Sequence, residues 1–542
     1  MIARADYRRP DTAAGDSARL RGRTLWDVFW STAKTRPALP ALIDRRGALT
    51  WSALAEAAEA LAGRLLGAGI GPGEVVGLYL PNGREFAIAH LALARIGAVT
   101  ATLHLPYGPR ELEALLSAVS ARAVVLPARW KGGAPWQNLV EVWPKLPELA
   151  LALVTGGPHP RHPKASSWGQ WIRPSSPPGT IPGVDPDAPL ALFFTSGTDS
   201  TAPKACLHTH DTLVSNAGWV AEDAGIGAAD VICSASPFTH LFGILALHLS
   251  WWTGATQVAL ERFDARTFLA CARRFGVTVA LAVPTQLWDL VAAVGAEATL
   301  ARGLRLRELR IAGQWLAPAL AAAAHRAFGA GVVVQWGMSE LGAGTYTRPE
   351  EQGIAAWSSI GRPPRGSEVA VLTRDGAVAT AAEAKGELLF RGPSLFFGYY
   401  RNPEATDQSY VFHGGQAWFR TGDLAALRRD GRVTFLGRAK AVINRGGMKV
   451  SALELEAVLA ALPGVEAVAV LPEPDPRLGE RAVMVYEGSP ALTLDAIQAY
   501  LATEGVARYK WPERLVRLER LPRTPTGKLA RAALRQHLDA DV

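Results

Sequence analysis

From residue 50 to about 128 the apolar positions switch repeatedly between two periods. Spacings of three and four mark helices at 52–66, 84–96 and 109–119, and short unbroken apolar runs between them mark strands at 75–80, 99–103 and 123–127. This alternation predicts βαβ units and a mostly parallel sheet, whose strands are buried on both faces and so show no polar side. The glycine-rich turn at 67–73 follows a helix, and Pro72 stands where a dinucleotide-binding turn would place its third glycine, so the turn reads as a helix stop. Residues 156–189, rich in Pro, Gly and Ser, read as a long surface connection. The apolar run at 189–194 then reads as a buried strand, and strands and helices continue to about 334.

Beyond Gly361 the pattern shortens to β segments at 368–372, 386–391, 424–428 and 432–436, separated by Gly and Asp turns. The last hundred residues carry helical periodicity at 452–461 and 494–502 and strand patterns at 465–471 and 481–487. The fold class is therefore α/β: a large N-terminal domain over 1–437 of parallel-sheet subdomains with a β-rich subdomain at about 361–437, a link at 438–440, and a small α+β domain at 441–542. A length of 542 residues requires more than one core in any case.

Composition narrows the class. The formal charge of +8 comes from arginines scattered among acids, with no basic block of the kind that binds nucleic acid. No apolar run is long enough to cross a bilayer; the nearest, 241–252, contains Gly243 and His248, and residues 1–16 are polar, so the chain reads as cytoplasmic. Cys206, Cys233 and Cys271 are far apart and form neither a disulfide framework nor a zinc motif.

Chemistry concentrates first in the loop after the strand at 189–194. Thr195, Ser196, Thr198, Ser200 and Thr201 offer hydroxyls, Gly197 lets the backbone approach a ligand, and Lys204 adds a positive charge, a set suited to a polyphosphate at a strand end. Further on, Trp336-Gly-Met-Ser-Glu340 follows the strand at 331–335, with an indole able to stack a purine and a carboxylate able to hold magnesium. Arg420-Thr-Gly-Asp423 places a carboxylate after a tight turn, where it can accept from a ribose diol. Then come the basic, glycine-bearing run 437–447 and the single lysine of Pro522-Arg-Thr-Pro-Thr-Gly-Lys528.

In this order, from Leu49-Thr-Trp-Ser to Lys528, these motifs resemble the adenylate-forming superfamily of acyl- and aryl-CoA ligases, carrier-protein adenylation domains and luciferases, most of all the acyl-CoA synthetases. Ser236-Pro-Phe-Thr-His240, Gly361-Arg-Pro, Gly386-Glu-Leu and Gly398-Tyr-Tyr-Arg-Asn-Pro403 agree with it. The resemblance implies an ATP-dependent ligase that joins a hydrophobic carboxylic acid to AMP, releases pyrophosphate, and passes the acyl group to CoA. The alternative is an enzyme that stops at acyl-AMP or acylates a carrier protein or an amine. ATP, Mg2+ and CoA are the implied cofactors and the acid is the small-molecule partner.

Residue by residue, the resemblance implies that Thr195, Ser196, Gly197, Thr198 and Lys204 hold the β- and γ-phosphates and that Glu340 binds magnesium. Gly313, Gln314 and Trp315, with Gln335, Trp336, Gly337, Met338 and Ser339, would surround the adenine and the acid. Asp423, Arg438 and Phe435 would hold the ribose end of the nucleotide. Lys528 would bridge the carboxylate and the α-phosphate, which makes it catalytic with Glu340, Thr195 and His240. The acid pocket would be formed by His240, Leu241 and Phe242 from one segment and by Gly313, Gln335, Gly337, Gly342 and Ala343 from others. Lys440 falls at the hinge of a mobile C-terminal domain, and Gly446 and Gly447 line the pantetheine channel.

The chain also departs from the family. Its phosphate loop, TSGTDSTAPK, is one residue longer than the common form, lacks the second glycine and gains Asp199. Ala441 follows the hinge lysine where Asp is usual. Leu241 replaces the Asn of salicylate- and dihydroxybenzoate-activating relatives, and the pocket positions predict an apolar cavity with one amide, Gln335, and no fixed cation.

Overall fold

The computed structural model describes residues 20–157, 161–173, 181, 183–194, 204–438, 442–445, 448–475, 479–504, 506, 508–524 and 527–540. By backbone proximity the chain divides into two compact units, one comprising 1–368 and 391–419, the other 369–390 and 420–542.

The first unit contains two large sheets. One has seven strands in the order Ala165–Ser167, Leu151–Thr155, Ala123–Pro127, Val75–Leu78, Val99–Thr102, Pro189–Phe194 and Ala205–Thr209, parallel except for the final hairpin. The other has eight: Gly342–Tyr346, Gly331–Met338, Glu308–Ile311, Val279–Ala282, Val231–Ser234, Thr256–Ala259, Pro40–Asp44 and Gly47–Thr50, with antiparallel pairs at its two edges. The expected βαβ units are present, with helices at Trp51–Gly67, Arg84–Ile96 and Pro109–Ala118. Parallel strands covered on both faces explain the unbroken apolar runs: all six residues of Pro189–Phe194 are buried. Within the stretch expected to be a plain connection, Ala165–Ser167 adds an edge strand and Trp168–Trp171 a helical turn, because Trp168 buries its ring in the main core.

The helix Leu241–Thr253 is buried all round and His210–Asp223 nearly so, since both lie between layers. They cover one face of the eight-stranded sheet, where Phe242, Leu245 and Ala246 of one and Ala217 and Val220 of the other meet Ile232, Leu281, Val333 and Tyr346.

In the second unit, Glu368–Leu372, Val378–Ala379, Lys385–Arg391, the later part of Gln416–Leu427 and Val433–Arg438 form the β-rich sheet. Its last part pairs Met448–Ser451, Val442–Arg445, Gly479–Gly488, Val465–Asp475 and Arg514–Arg517, packed with helices Ala452–Leu459 and Leu494–Thr503. A terminal helix, Arg531–Ala540, extends the sequence expectation and is tied back where Arg531 grips both carboxylate oxygens of the buried Glu456, at 2.7 and 2.6 Å. No helix among the described residues is long and apolar enough to cross a membrane.

Candidate active site

The hydroxyl-rich loop joins the strands Pro189–Phe194 and Ala205–Thr209, whose register closes at Phe194 opposite Ala205. Thr195, Ser196, Gly197 and Thr198 lie outside the described residues. Lys204, at the near end of the second strand, is half-buried with its ammonium 4.8 Å from the centre of the Tyr399 ring.

Tyr399 has a second role at this place. Its hydroxyl donates to Glu340 Oε1 at 2.9 Å, and the main-chain N–H of Phe396 donates to the Glu340 carbonyl at 2.7 Å. The segment 396–400 is in turn sewn to 205–207: Leu207 N–H donates to Gly398 O (3.0 Å), and Phe397 and Tyr400 donate to Leu207 O and Ala205 O (2.8 Å each). Glu340 is only 6% exposed. Burial, followed by the charge of Glu340, pushes the hydroxyl of Tyr399 and the thiol of Cys206 well above their usual ranges, so both stay protonated beside the carboxylate. His208 Nε2 lies 2.8 Å from the carbonyl of Ser339, which can only accept, so that ring nitrogen carries the proton. Tyr399, Cys206 and His208 were not among the residues expected here. The 398–403 motif is visible in the sequence, but nothing in it tells which carboxylate its tyrosine meets.

Trp336 continues the strand Gly331–Met338 rather than following it. Its indole is buried against Gly344, where an added Cβ would lie 2.5 Å from the ring. One residue on, a Cβ at Gly337 would fall 1.9 Å from Gly342 O, so only glycine permits this approach of the two strands.

At the expected acid pocket, His240 caps the helix Leu241–Thr253, its Nδ1 accepting from Phe242 N–H at 3.2 Å. The preceding turn is held by Asn82, which donates to Ser236 O (2.9 Å) and accepts from Phe238 N–H (2.6 Å). The helix can start so tightly only because residue 243 is glycine: a Cβ there would sit 1.8 Å from Pro237 O. Phe242 packs with Ala343, Ala312 and Val333, whereas Leu241 packs into the separate core that contains Phe238 and Ile244. Adjacent in sequence, they diverge because helical neighbours point about 100° apart. Gly313, at φ +92°, opens the loop that carries Gln314 half-buried and Trp315 exposed.

Gln335 is not the lone polar group that the sequence suggested. Its Oε1 accepts from Arg310 at 3.0 Å; Arg310 is fully buried, bonded to the equally buried Glu308 at 2.8 Å and centred 5.0 Å from the Tyr346 ring. The Tyr346 hydroxyl donates to Asp223 (2.8 Å), which also meets Arg348 (3.0 Å) and Arg365 (2.9 Å). A fixed cation therefore stands directly behind Gln335, the amide expected in the acid pocket.

In the second unit, Asp423 sits inside the strand Gln416–Leu427 rather than after a turn. The glycine that suggested a turn, Gly422, takes φ +71° within the strand, its N–H donating to Glu387 (3.1 Å), while Thr421 Oγ1 donates to Leu388 O (2.7 Å) and accepts from Asp423 N–H (3.1 Å). Asp423 is buried and stands opposite Arg438 in the register, with the half-buried Phe435 three residues before Arg438. Lys528 lies on a closed loop: Thr524 N–H donates to Lys528 O (2.7 Å), Gly527 N–H to Thr524 O (2.8 Å), and Arg523 bridges Leu529. Lys440, Gly446 and Gly447 lie outside the described residues.

The sequence model of the AMP-binding enzyme family matches residues 29–400, and that of the AMP-binding enzyme C-terminal domain matches 454–528. The chain belongs to the AMP-binding enzyme family. Among its relatives in this family is a Streptomyces salicylyl-CoA synthase / salicylate adenylyltransferase, 34% identical over 95% of this chain and 94% of that protein. Another is the medium-chain fatty-acid–CoA ligase of Escherichia coli, 28% identical over 95% and 90%. The crystal structure of the anthranilate CoA ligase AuaEII in complex with anthranoyl-AMP superposes with a TM-score of 0.84 at 26% identity, covering 96% of this chain and 98% of that one. Members of the family thus include acyl- and aryl-CoA ligases and adenylation enzymes. Among the described residues, the first unit of this member brings Glu340 and Lys204 together at Tyr399 and Ser339 against His208, and packs Phe242 with Ala343 and with Tyr346, the strand partner of Gln335. No cluster of three or more His, Cys, Asp or Glu forms a metal cage among the described residues.

Proposed function

We propose that this chain is an ATP-dependent acid:CoA ligase that forms an acyl-AMP intermediate. What carries the reading is coverage: both family segments are matched, the second ending on Lys528, and relatives aligned over 95% of the chain are CoA ligases. In the first half-reaction a carboxylate oxygen bonds to the α-phosphorus of ATP as the bond to the β-phosphate oxygen breaks, and pyrophosphate leaves. In the second, the CoA sulfur bonds to the acyl carbon, its proton passes to solvent, and AMP leaves.

Two anions meet in the first step, so fixed positive charge is the principal source of rate. Lys528 is assigned to the carboxylate and α-phosphate, Lys204 and the hydroxyls of 195–198 to the outer phosphates, and Asp423 to the ribose. Glu340, a single carboxylate held by Tyr399, suits Mg2+, which is typically bound by one or two carboxylates plus substrate phosphates. When bound, Mg2+ would neutralise phosphate charge. Lys440 would serve as the hinge and Gly446 and Gly447 as the pantetheine channel, and with ATP and CoA as substrates the cytoplasm is the compartment.

The test is acid-dependent pyrophosphate release over a panel of acids, with and without CoA. Release with thioester formation supports the ligase; release without it moves the acceptor to a carrier protein or an amine; no release with any acid overturns the reading. Lys528→Ala should lower acyl-AMP formation about 10²- to 10³-fold, by analogy with the loss of one preorganised donor, while thioester formation from supplied acyl-AMP persists. Equal loss in both half-reactions would count against that role.

A further inference from the structure

The acid pocket proposed above is bounded by the strand pair Gly331–Met338 and Gly342–Tyr346 and covered by the helix His210–Asp223. Asn216 lies in the middle of that helix, next to Ala217, which packs with Phe242 and Ala343. It is 4% exposed, and its Nδ2 has no hydrogen-bond partner among the described residues. The amide lies directly over Gly342: a Cβ at that glycine, which holds φ +69°, would be 2.7 to 2.8 Å from Oδ1, Cγ and Nδ2. A buried amide without a partner costs stability that an alanine at the same helical position would not. Its presence next to a pocket glycine points to a partner that arrives with the substrate.

A second amide converges on the same strand pair. Gln335 is 5% exposed, and Arg310 fixes which way it faces. A guanidinium only donates, so the oxygen of Gln335 must turn to Arg310 and its NH2 must turn away. Because Arg310 is itself held by Glu308 and lies on the Tyr346 ring, this orientation is locked by fully buried groups. The pocket is therefore edged by two amides, one with its donor unpartnered and one with its donor set by its neighbours.

We propose that Asn216 and Gln335 form a polar subsite that receives a hydrogen-bond acceptor carried by the acid away from its carboxylate, such as a hydroxyl, carbonyl or ether oxygen. The assignment rests on the ligase reading and narrows it. A plain hydrocarbon acid would leave the Asn216 donor buried and unpaired and offer nothing to that of Gln335, and a cationic substituent would approach Arg310.

The experiment measures kcat/KM for pyrophosphate release with matched acids: benzoate against its hydroxy, methoxy and acetyl derivatives, and cyclohexanecarboxylate against its oxo derivatives. The wild-type enzyme should favour at least one acceptor-bearing acid about 10-fold or more over its unsubstituted partner. Asn216→Leu and Gln335→Met should each pull that ratio toward one, mainly through KM. Asn216→Ala, which removes the donor and adds no bulk, repeats the test should the leucine variant fail to fold. A ratio that is unchanged in the variants, or a wild-type preference for the unsubstituted acids, overturns the subsite and leaves the ligase reading standing. Absence of release with every acid removes both.

Discussion

Of the four histidines buried in the first unit among the described residues, three, His90, His210 and His248, should make the protein steeply acid-sensitive. His90 and His210 are fully buried and His248 is 2% exposed. His90 Nε2 lies 3.0 Å from His248 Nε2 and its Nδ1 2.8 Å from Thr100 Oγ1, with the Trp251 ring stacked at 6.1 Å; His210 Nδ1 accepts from Leu25 N–H at 3.1 Å. Burial, with repulsion from the neighbouring histidines, lowers His248 to about 3 and His90 well below its usual value. Burial lowers His210 to about 4, against a smaller upward pull from Asp27 and Asp185. The folded state thus binds fewer protons than the unfolded state below the ordinary value of about 6.5, so the stability these rings allow is present above that pH and is lost as pH falls toward 4. Each ring contributes a slope of up to about 1.4 kcal/mol per pH unit, and the three together should remove roughly 6 kcal/mol between pH 7.5 and 5. Folded carboxylates with lowered values, such as Asp44 and Asp230, act mainly below this window. Urea unfolding followed by tryptophan fluorescence at half-unit pH steps would measure the slope. The double variant His90→Leu/His248→Leu, which replaces the pair with apolar groups in an apolar setting, should retain about a third of it. An undiminished slope in that variant would show that the His90–His248 pair does not set the acid sensitivity.

Arg310→Met should destabilise the protein by about 3–5 kcal/mol in urea unfolding at pH 7.5, because it strands the fully buried carboxylate of Glu308. Arg307 approaches that carboxylate only to 4.0 Å and is committed to Asp230 at 2.8 and 2.9 Å, so it is a poor substitute. Glu308→Gln/Arg310→Met should recover most of the loss, and a double variant as unstable as the single would contradict the pairing. Tyr399→Phe removes the hydroxyl that orients Glu340 and should raise the half-saturating Mg2+ concentration for pyrophosphate release about 10-fold, at the modest end for a hydrogen bond to a charged group. An unchanged Mg2+ profile would separate Glu340 from the metal.

Much of this architecture is local enough to be written in the chain. The period of apolar residues marks the helix Trp51–Gly67 and the strand Ala123–Pro127 almost to the residue, because a helix or a buried strand answers to neighbours a few positions away. The order of short motifs from 195 to 528 likewise discloses the family, whose two sequence models match 29–400 and 454–528. The sequence also misleads in places. Gly422 reads as a turn, yet Asp423 lies inside a strand, because pairing on both sides held the chain extended through a glycine able to absorb the irregular φ. Gln335, expected as the one amide of a largely apolar cavity with no fixed cation, is bonded to Arg310 and through it to Glu308, two positions apart on one strand and twenty-five or more from Gln335. Tyr399 and Glu340 are 59 positions apart, and His90 and His248 are 158 apart. Periodicity carries no information on such pairs. The order of strands in a sheet and the face on which each helix lands determine which buried polar group meets which, and in this chain those meetings orient the Glu340 carboxylate, set the protonation of the core and fix Arg310 against Gln335.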